Sequence, residues 1–293
     1  MQQIPKIKSI CINCMVNSRL TQFPEDTPED MKVEYMLRVL GELAKMKNQQ
    51  DPTIATTHII EIQKEMFGFS QDYSELKVRF NQYIMTKEPY LQTKIDEADD
   101  PLKLAIQYGI VGNLIDFIVM DSVDETRLEK MFSEAADYIL DEKVYQALKQ
   151  DVLSAKKIVV LLDNCGEIVV DKLLIQVLKK LNPNALITAI VRGEEILNDA
   201  TMEDAIQVGL TDVVRVIGNG TNLPGTCLQL VSDEARSVIE EADVILSKGQ
   251  GNLETFQGSD LNTYYIFLCK CEMIAEMFGV QKFTPMLVRE SIK

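Results

Sequence analysis

The spacing of hydrophobic residues changes after Lys157, and this change constrains the fold more than any other feature of the chain. Four short, β-branched apolar runs follow, each continuous enough to form a strand that is buried on both faces. Segments with helical spacing separate these runs. Strands that alternate with helices predict a parallel sheet covered by helices. The predicted strands are 157–163, 186–191, 213–218 and 243–248, and the predicted helices are 168–181, 201–210 and 231–242.

Nearly all of the chain before residue 156 has helical spacing. In the amphipathic stretch 27–47, Thr27 is a candidate cap and Pro28 a candidate first helical residue. Because no low-complexity linker separates the two halves, we expect the helical half to pack on the sheet. Further helices are predicted to begin at Asp51-Pro52, Asp72 and Asp100-Pro101, and two more to lie near 124–138 and 141–154.

Composition narrows the class of protein. A formal charge of −15 disfavours nucleic acid as a partner, because phosphate backbones are bound by clustered positive charge. The chain has no apolar run of 18 residues and its start does not resemble a signal peptide, so we expect a soluble, cytoplasmic protein without a membrane partner. Six cysteines in 293 residues predict free thiols, and a single histidine, His58, disfavours catalysis by histidine triads. The oligomeric state stays open.

Polar residues follow each predicted strand. Asp163, Asn164, Gly166 and Glu167 follow the first strand, and Asp199 follows the second. The carboxyl ends of parallel strands meet at one edge of a sheet, so these side chains are expected to converge. Carboxylate and amide oxygens suit a hard cation such as Mg²⁺ or Mn²⁺.

Glycines and a lysine follow the other two strands. Glycines allow backbone N–H groups to approach an anion closely, and Lys248 adds a positive charge. A metal site beside an anion site is typical of phosphoryl transfer. The glycines concerned are Gly218, Gly220, Gly249 and Gly251.

Plainer explanations remain open. Asp163 and Asn164 could form a strand-end turn and a helix cap, and Asp199 could cap the helix that begins at Thr201. Neither the P-loop pattern nor GxGxxG is present, which disfavours nucleotide kinases and ordinary dinucleotide dehydrogenases.

Several of these segments resemble one known family, in order along nearly the whole chain. They are DPLKLAIQYGIVGNLIDF at 100–117, DNCGE at 163–167, LNDAT at 197–201, SKGQGNLE at 247–254 and KCEMIAEMFGV at 270–280. The sequence resembles the domain of unknown function 89, whose members are described as damage-control phosphatases. The Cys11-x-x-Cys14 start is similar to its stand-alone microbial branch.

The resemblance implies an α/β fold, in which a helical N-terminal part, 1–155, packs on a Rossmann-like catalytic part, 156–293. It implies that Asp163, Asn164 and Asp199 bind a divalent metal, Mn²⁺, Co²⁺, Ni²⁺ or Mg²⁺, and that Lys248 contacts phosphate. Asn113 and Asp116 match a family motif that reaches the same cleft. Lys270 aligns with the lysine of an Arg-Thr-x-Lys motif whose arginine is missing from FLCK at 267–270.

We therefore predict hydrolysis of phosphomonoesters of small metabolites. Lys248, with the N–H groups from Gly249 to Asn252, would stabilise charge on the phosphoryl oxygens, and Glu254 and Lys270 would also contact substrate. Glu167 or Asp116 would be the base. Asp163 as a nucleophile remains an alternative to water.

Two other functions stay open at this point. A Rossmann-like protein that binds a nucleotide or metabolite without catalysis would use the same edge of the sheet. An S-adenosylmethionine-dependent methyltransferase is less well supported, because its glycine-rich first loop is missing. Cys11 and Cys14 could form half a zinc site completed by Cys269 and Cys271, a redox pair, or two packed thiols.

Overall fold

A computed structural model of the chain describes residues 7–20, 23, 26–46, 52–68, 73–113 and 125–290. The N-terminal part is largely helical, as predicted, but its first helix, Ser9–Leu20, which carries Cys11 and Cys14, was not predicted. A 3₁₀ turn lies at Ala135–Asp137. The helices are α1 (Ser9–Leu20), α2 (Glu29–Lys45), α3 (Pro52–Phe67), α4 (Ser74–Glu97), α5 (Pro101–Gly112), α6 (Glu125–Glu134) and α7 (Glu142–Ser154).

The predicted helix starts are partly confirmed. Asp100 caps α5 by accepting a hydrogen bond from the N–H of Lys103, and Pro101 is the first helical residue, where its missing N–H costs nothing. The prediction for α2 is wrong, because Pro28 occupies the N-cap position and no side chain caps the helix. For the predicted start at Asp51-Pro52, α3 begins at Pro52, whereas Asp51 and Asp72 lie outside the described residues.

The sheet has six strands in the order β3-β2-β1-β4-β5-β6. The first five strands are parallel, and β6 pairs antiparallel with β5. The four predicted strands are confirmed, β2 with the predicted bounds and the other three with shorter ones, whereas β5 and β6 were not predicted. The strands are β1 (Lys157–Leu161), β2 (Leu186–Val191), β3 (Arg215–Gly218), β4 (Val244–Lys248), β5 (Thr263–Leu268) and β6 (Pro285–Arg289).

Helices cover both faces of the sheet. The strand order reverses between β1 and β4, and in open α/β sheets ligands bind in the crevice at this reversal. The predicted α/β fold with a Rossmann-like sheet is confirmed. The helices of this part are α8 (Glu167–Leu181), α9 (Met202–Gln207), α10 (Asp233–Glu240), α11 (Gln250–Phe256) and α12 (Glu272–Phe278).

The helical part packs directly on the sheet part. One buried apolar cluster joins Ile84 of α4 and Ile106 of α5 to Leu174 of α8 and Ile158 of β1. Burying such side chains contributes on the order of 2 kcal/mol each. A division at residue 155 stays a prediction. None of the helices in the described ranges has the length and apolar character needed to span a membrane.

Polar contacts add a second tie between the two parts. The Asn81 side chain of α4 accepts a hydrogen bond from the N–H of Gly166 at 2.6 Å and donates to Asp204 at 2.8 Å. Gly166 has a φ of 69°, a conformation that glycine adopts without strain, and it is the N-cap residue that precedes α8. The helical part therefore holds the loop after β1 in place.

Candidate active site

The loops after β1 and β2 meet at the carboxyl edge of the sheet. Asn164 and Asp199 form an isolated antiparallel bridge. The N–H of Cys165 donates to the Asn198 carbonyl at 2.9 Å, and the N–H of Ala200 donates to the Asp163 carbonyl at 2.7 Å. The structure therefore brings together the three predicted metal ligands, Asp163, Asn164 and Asp199.

A buried arginine, which the sequence reasoning missed, joins the two aspartates. Arg192 follows β2 directly and is 1% exposed. Its Nε donates to Asp199 Oδ1 at 2.6 Å and its Nη2 donates to Asp163 Oδ1 at 3.0 Å. We call Asp163, Arg192 and Asp199 the arginine cluster. The available signal was a charged residue immediately after a continuous buried strand.

The second oxygen of Asp163 faces two amides and a glycine. Asp163 Oδ2 accepts hydrogen bonds from the side chains of Asn113 at 3.1 Å and Asn164 at 2.8 Å. A methyl group built on Gly249 would lie 1.8 Å from this oxygen, so the end of β4 is shaped around the carboxylate. Burial and the negative charges of Glu167 and Asp199 raise the pKa of Asp163 well above its usual range. The positive charges of Arg192 and Lys270 oppose this shift.

A second ionic cluster lies next to the arginine cluster. Lys248 Nζ lies 2.5 Å from Glu167 Oε1 and 2.7 Å from Asp171 Oδ1, and it donates to the Gly109 carbonyl at 3.2 Å. We call Glu167, Lys248 and Asp171 the lysine cluster. Its side chains are at most 1% exposed. Lys248 Nζ is therefore buried and surrounded by protein groups.

The pKa values in the lysine cluster follow from burial and charge. Burial alone would lower the pKa of Lys248, but the charges of Asp171 and Glu167 raise it above its usual value. Burial raises the pKa of Asp171 to about 7, with Lys248 opposing the shift and Glu167 adding to it. Although Asp171 is close to Lys248, its oxygens accept no well-aligned hydrogen bond. Burial therefore outweighs the attraction of Lys248 for this carboxylate.

Two predicted substrate contacts are fully engaged inside the protein. Asn113 donates to Asp163 and Glu167, and its Oδ1 accepts from the N–H of Leu268 at 3.2 Å. Asn252 accepts from Arg192 and donates to the carbonyls of Leu162 and Lys248. Both side chains are 0% exposed, so they connect elements rather than line the cleft.

The remaining predicted contacts lie in α11 and in the turn after β5. Gly251, Glu254 and Lys270 are half-buried. The Gln250 side chain accepts from the N–H of Lys270 at 3.1 Å and donates to Glu254 at 2.9 Å, so it ties the turn after β5 to α11. The predicted base Asp116 lies outside the described residues.

The N-caps of α8 and α9 test whether Asn164 and Asp199 are only helix-capping residues. Gly166 is the N-cap of α8 without a side-chain cap, and Thr201 forms a capping box with Asp204 at the start of α9. The helix-cap alternatives for Asn164 and Asp199 are therefore wrong. A methyl group on Gly193 would lie 2.4 Å from Gly220, so this glycine pair permits close packing of two loops.

The donor set is compatible with a hard cation. Asn164 Oδ1 accepts no hydrogen bond from the described residues, and it lies beside two carboxylates whose mutual repulsion a cation would relieve. Within the described ranges, no three His, Cys, Asp or Glu side chains are arranged to hold a metal. The predicted set has two carboxylates and one amide, so it is a different kind of site.

The N-terminal cysteine pair lies near the turn after β5. Cys11 Sγ is 3.7 Å from Met273 Sδ, whereas Cys14 is exposed. Burial raises the pKa of Cys11 and of Cys271, which favours the thiol form of both. Since the described residues contain no group of three metal-binding thiols or acids, Cys269 and Cys271 do not complete a zinc site with the pair.

Comparisons with known proteins identify the family. The model of the damage-control phosphatase ARMT1-like domain matches residues 7–285. The chain belongs to the damage-control phosphatase family. Membership places the protein among the phosphatases, a class of hydrolases.

Individual relatives match along almost their whole length. The chain is 31% identical to a damage-control phosphatase of Pyrococcus horikoshii, covering 98% of this chain and 99% of that protein. It is 30% identical to a damage-control phosphatase of Archaeoglobus fulgidus, covering 94% and 96%. A crystal structure of a DUF89 family protein from Pyrococcus horikoshii superposes with a TM-score of 0.80 at 29% identity, covering 98% and 99%.

Proposed function

We propose that this protein is a metal-dependent phosphomonoesterase that acts on small, damaged phosphorylated metabolites. The observation that supports this proposal most directly is the convergence of Asp163, Asn164 and Asp199 at the strand reversal, in a member of a phosphatase family. Family membership also disfavours the methyltransferase and the non-catalytic binding protein. No observation on the structure favours either of them.

The three oxygen donors would hold one divalent cation, Mn²⁺, Co²⁺, Ni²⁺ or Mg²⁺. When bound, such a cation polarises a phosphoryl oxygen and acidifies water, which are the usual contributions of a metal to phosphate ester hydrolysis. Asp163 and Asp199 each keep one oxygen on Arg192, so the guanidinium limits their rotation. The protein thus orients the ligands before the cation binds.

Phosphate contact is better assigned to the rim than to Lys248. The Nζ of Lys248 already faces Glu167, Asp171 and the Gly109 carbonyl, and it is buried. Lys270 is half-buried at the rim, and its charge acts on Asp163. Lys270, with backbone N–H groups in the first turn of α11, would neutralise the phosphoryl oxygens.

The roles of the acids can be narrowed in the same way. Glu167 is 0% exposed and accepts hydrogen bonds from Asn113, Asn164 and Lys248, so we assign it to positioning instead of proton transfer. Both oxygens of Asp163 accept hydrogen bonds, which lowers their nucleophilicity. Water is therefore the preferred nucleophile in this proposal.

A phosphate-release assay tests the proposal. The protein is treated with a chelator, dialysed, and assayed on a panel of sugar phosphates, nucleotides and oxidised phosphometabolites before and after adding each of the four metals. We expect release only after metal is restored. Release that is unaffected by chelation would contradict the metal requirement. Tight binding of a panel member by calorimetry, with no turnover under any metal, would favour the binding protein.

A further inference from the structure

We propose that Arg192 is a positioning residue, which fixes Asp163 and Asp199 in the geometry that binds the cation. This inference rests on the proposed function, because it concerns the same metal site. Arg192 would contact neither the cation nor the substrate. It would act through the two carboxylates, as groups behind metal ligands commonly do.

The planar shape of the guanidinium supports this role. Nε and Nη2 donate to Oδ1 of two different aspartates, at 2.6 Å and 3.0 Å, so one rigid group sets the relative position of both carboxylates. These contacts use one oxygen of each aspartate. Asp163 Oδ2 lies on the opposite side, towards Asn164 and Gly249.

The guanidinium is itself held by the ends of two strands. Nη1 donates to the Leu162 carbonyl, next to the end of β1, at 3.1 Å and to Asn252 Oδ1 at 3.2 Å. The Asn252 amide donates in turn to the Lys248 carbonyl at the end of β4 at 2.7 Å. Arg192 therefore connects the loops that carry Asp163 and Asp199 to the carboxyl ends of β1 and β4.

Orientation of Asn252 depends on one further hydroxyl. Thr226 Oγ1 donates to Asn252 Oδ1 at 2.8 Å, and Thr226 is 0% exposed. Through Asn252, this hydrogen bond links Thr226, in the loop after β3, to Arg192. It offers a way to disturb the guanidinium without changing a charge.

The proposal separates shape from charge. Lysine in place of Arg192 would keep a positive charge but would lose the planar group that bridges two carboxylates. If Arg192 only balanced the charge of Asp163 and Asp199, Arg192→Lys would bind metal normally. If it sets their geometry, the same variant should bind metal weakly.

Calorimetric titration of the metal-free protein with Mn²⁺ makes this distinction. We expect Arg192→Lys to weaken Mn²⁺ binding by about 10- to 100-fold, the range found when groups behind metal ligands are removed. The matched control is Arg215→Lys on β3, whose exposed ion pair with Glu234 lies away from the site, and it should bind like wild type. Binding within twofold of wild type by Arg192→Lys would overturn the inference.

A second variant covers a failure to fold. If circular dichroism shows that Arg192→Lys is unfolded, Thr226→Val decides, because it removes only the hydroxyl that orients Asn252. We expect a few-fold weaker Mn²⁺ binding and a lower melting temperature of the metal-free protein, and unchanged affinity would overturn the inference. Wild-type protein that does not bind any of the four metals would instead contradict the proposed metal site itself.

Discussion

The arginine cluster and the lysine cluster have the same composition, one cation between two carboxylates, yet they differ in what they can do. Asp163 in the arginine cluster is 9% exposed, at the carboxyl edge of the sheet. Glu167 and Lys248 in the lysine cluster are 0% exposed. The same charges can therefore carry chemistry in one cluster and hold the fold together in the other.

Two amides join the clusters. The side chains of Asn113 and Asn164 each donate to both Asp163 Oδ2 and Glu167 Oε2. Changes in the buried lysine cluster should consequently reach the arginine cluster through these amides. We therefore expect substitutions in the arginine cluster to remove activity, and substitutions in the lysine cluster to lower stability first.

Asp163→Asn should give the largest loss of activity. The substitution keeps the size of the side chain but removes the charge of a predicted metal ligand. We expect turnover to fall by about 1000-fold or more, roughly 4 kcal/mol of barrier. Phosphate release at saturating Mn²⁺ measures the change, circular dichroism checks the fold, and the exposed Glu203→Gln on α9 is the control. Turnover within tenfold of wild type would remove Asp163 from the site.

Lys248→Met should give the largest loss of stability. It leaves Glu167 and Asp171 buried without a cation, and breaking a buried ion pair in this way costs about 3 kcal/mol or more. Urea unfolding measures the change. Lys157→Met, which breaks an exposed pair with Glu241, should cost less than about 1 kcal/mol. Equal losses in the two variants would show that the lysine cluster is not a structural centre.

Gly249→Ala should have an intermediate effect at the contact between β4 and Asp163. An alanine methyl group would lie 1.8 Å from Asp163 Oδ2, so the carboxylate must move. We expect turnover to fall roughly 30-fold, about 2 kcal/mol. Gly279→Ala is the matched control, because its φ of 65° is also positive but nothing lies within 4 Å of the added methyl group. If Gly279→Ala lowers turnover as much as Gly249→Ala does, backbone strain at a positive φ would explain the loss, and the contact with Asp163 would not.

The sequence predicted the position of the site because position depends on periodicity alone. Continuous apolar runs locate the strand ends, and parallel strands bring their carboxyl ends together, so Asp163, Asn164 and Asp199 were placed correctly beside one another. Glycine spacing in α5 carried a signal that was missed. Methyl groups on Gly109 and Gly112 would lie 3.2 Å from Lys248 and Glu167, so the small residues let α5 approach the lysine cluster.

Side-chain direction could not be predicted in the same way. Lys248 is the last residue of β4, and whether it points to the cleft or into the helical layer depends on acids far away in sequence. Asp171 lies inside an apolar helical pattern, where nothing local indicates a partner.

The edge strand β6 was missed for another reason: it is only partly buried, so its hydrophobic pattern is weak.

Asp171→Asn tests the lysine cluster with the smallest expected effect. Burial raises the pKa of Asp171 from 3.8 to about 7 in the folded protein. Between these two values the unfolded chain releases the proton while the folded chain retains it, so this group lowers stability as pH rises. We expect the unfolding free energy of wild type, minus that of Asp171→Asn, to fall by roughly 1 kcal/mol from pH 5 to pH 6.

Asp100→Asn provides the control for this pH dependence. Burial opposes the shift, but the nearby Tyr145 hydroxyl and the hydrogen bonds from Lys149 and the Lys103 N–H lower the pKa of Asp100 in the folded protein. Its stabilising effect is complete above pH 3.8, so the corresponding difference should stay constant from pH 5 to pH 6. Urea unfolding at both pH values measures all three proteins. A difference for Asp171 that stays constant from pH 5 to pH 6, as expected for Asp100, would mean that its attraction to Lys248 outweighs burial.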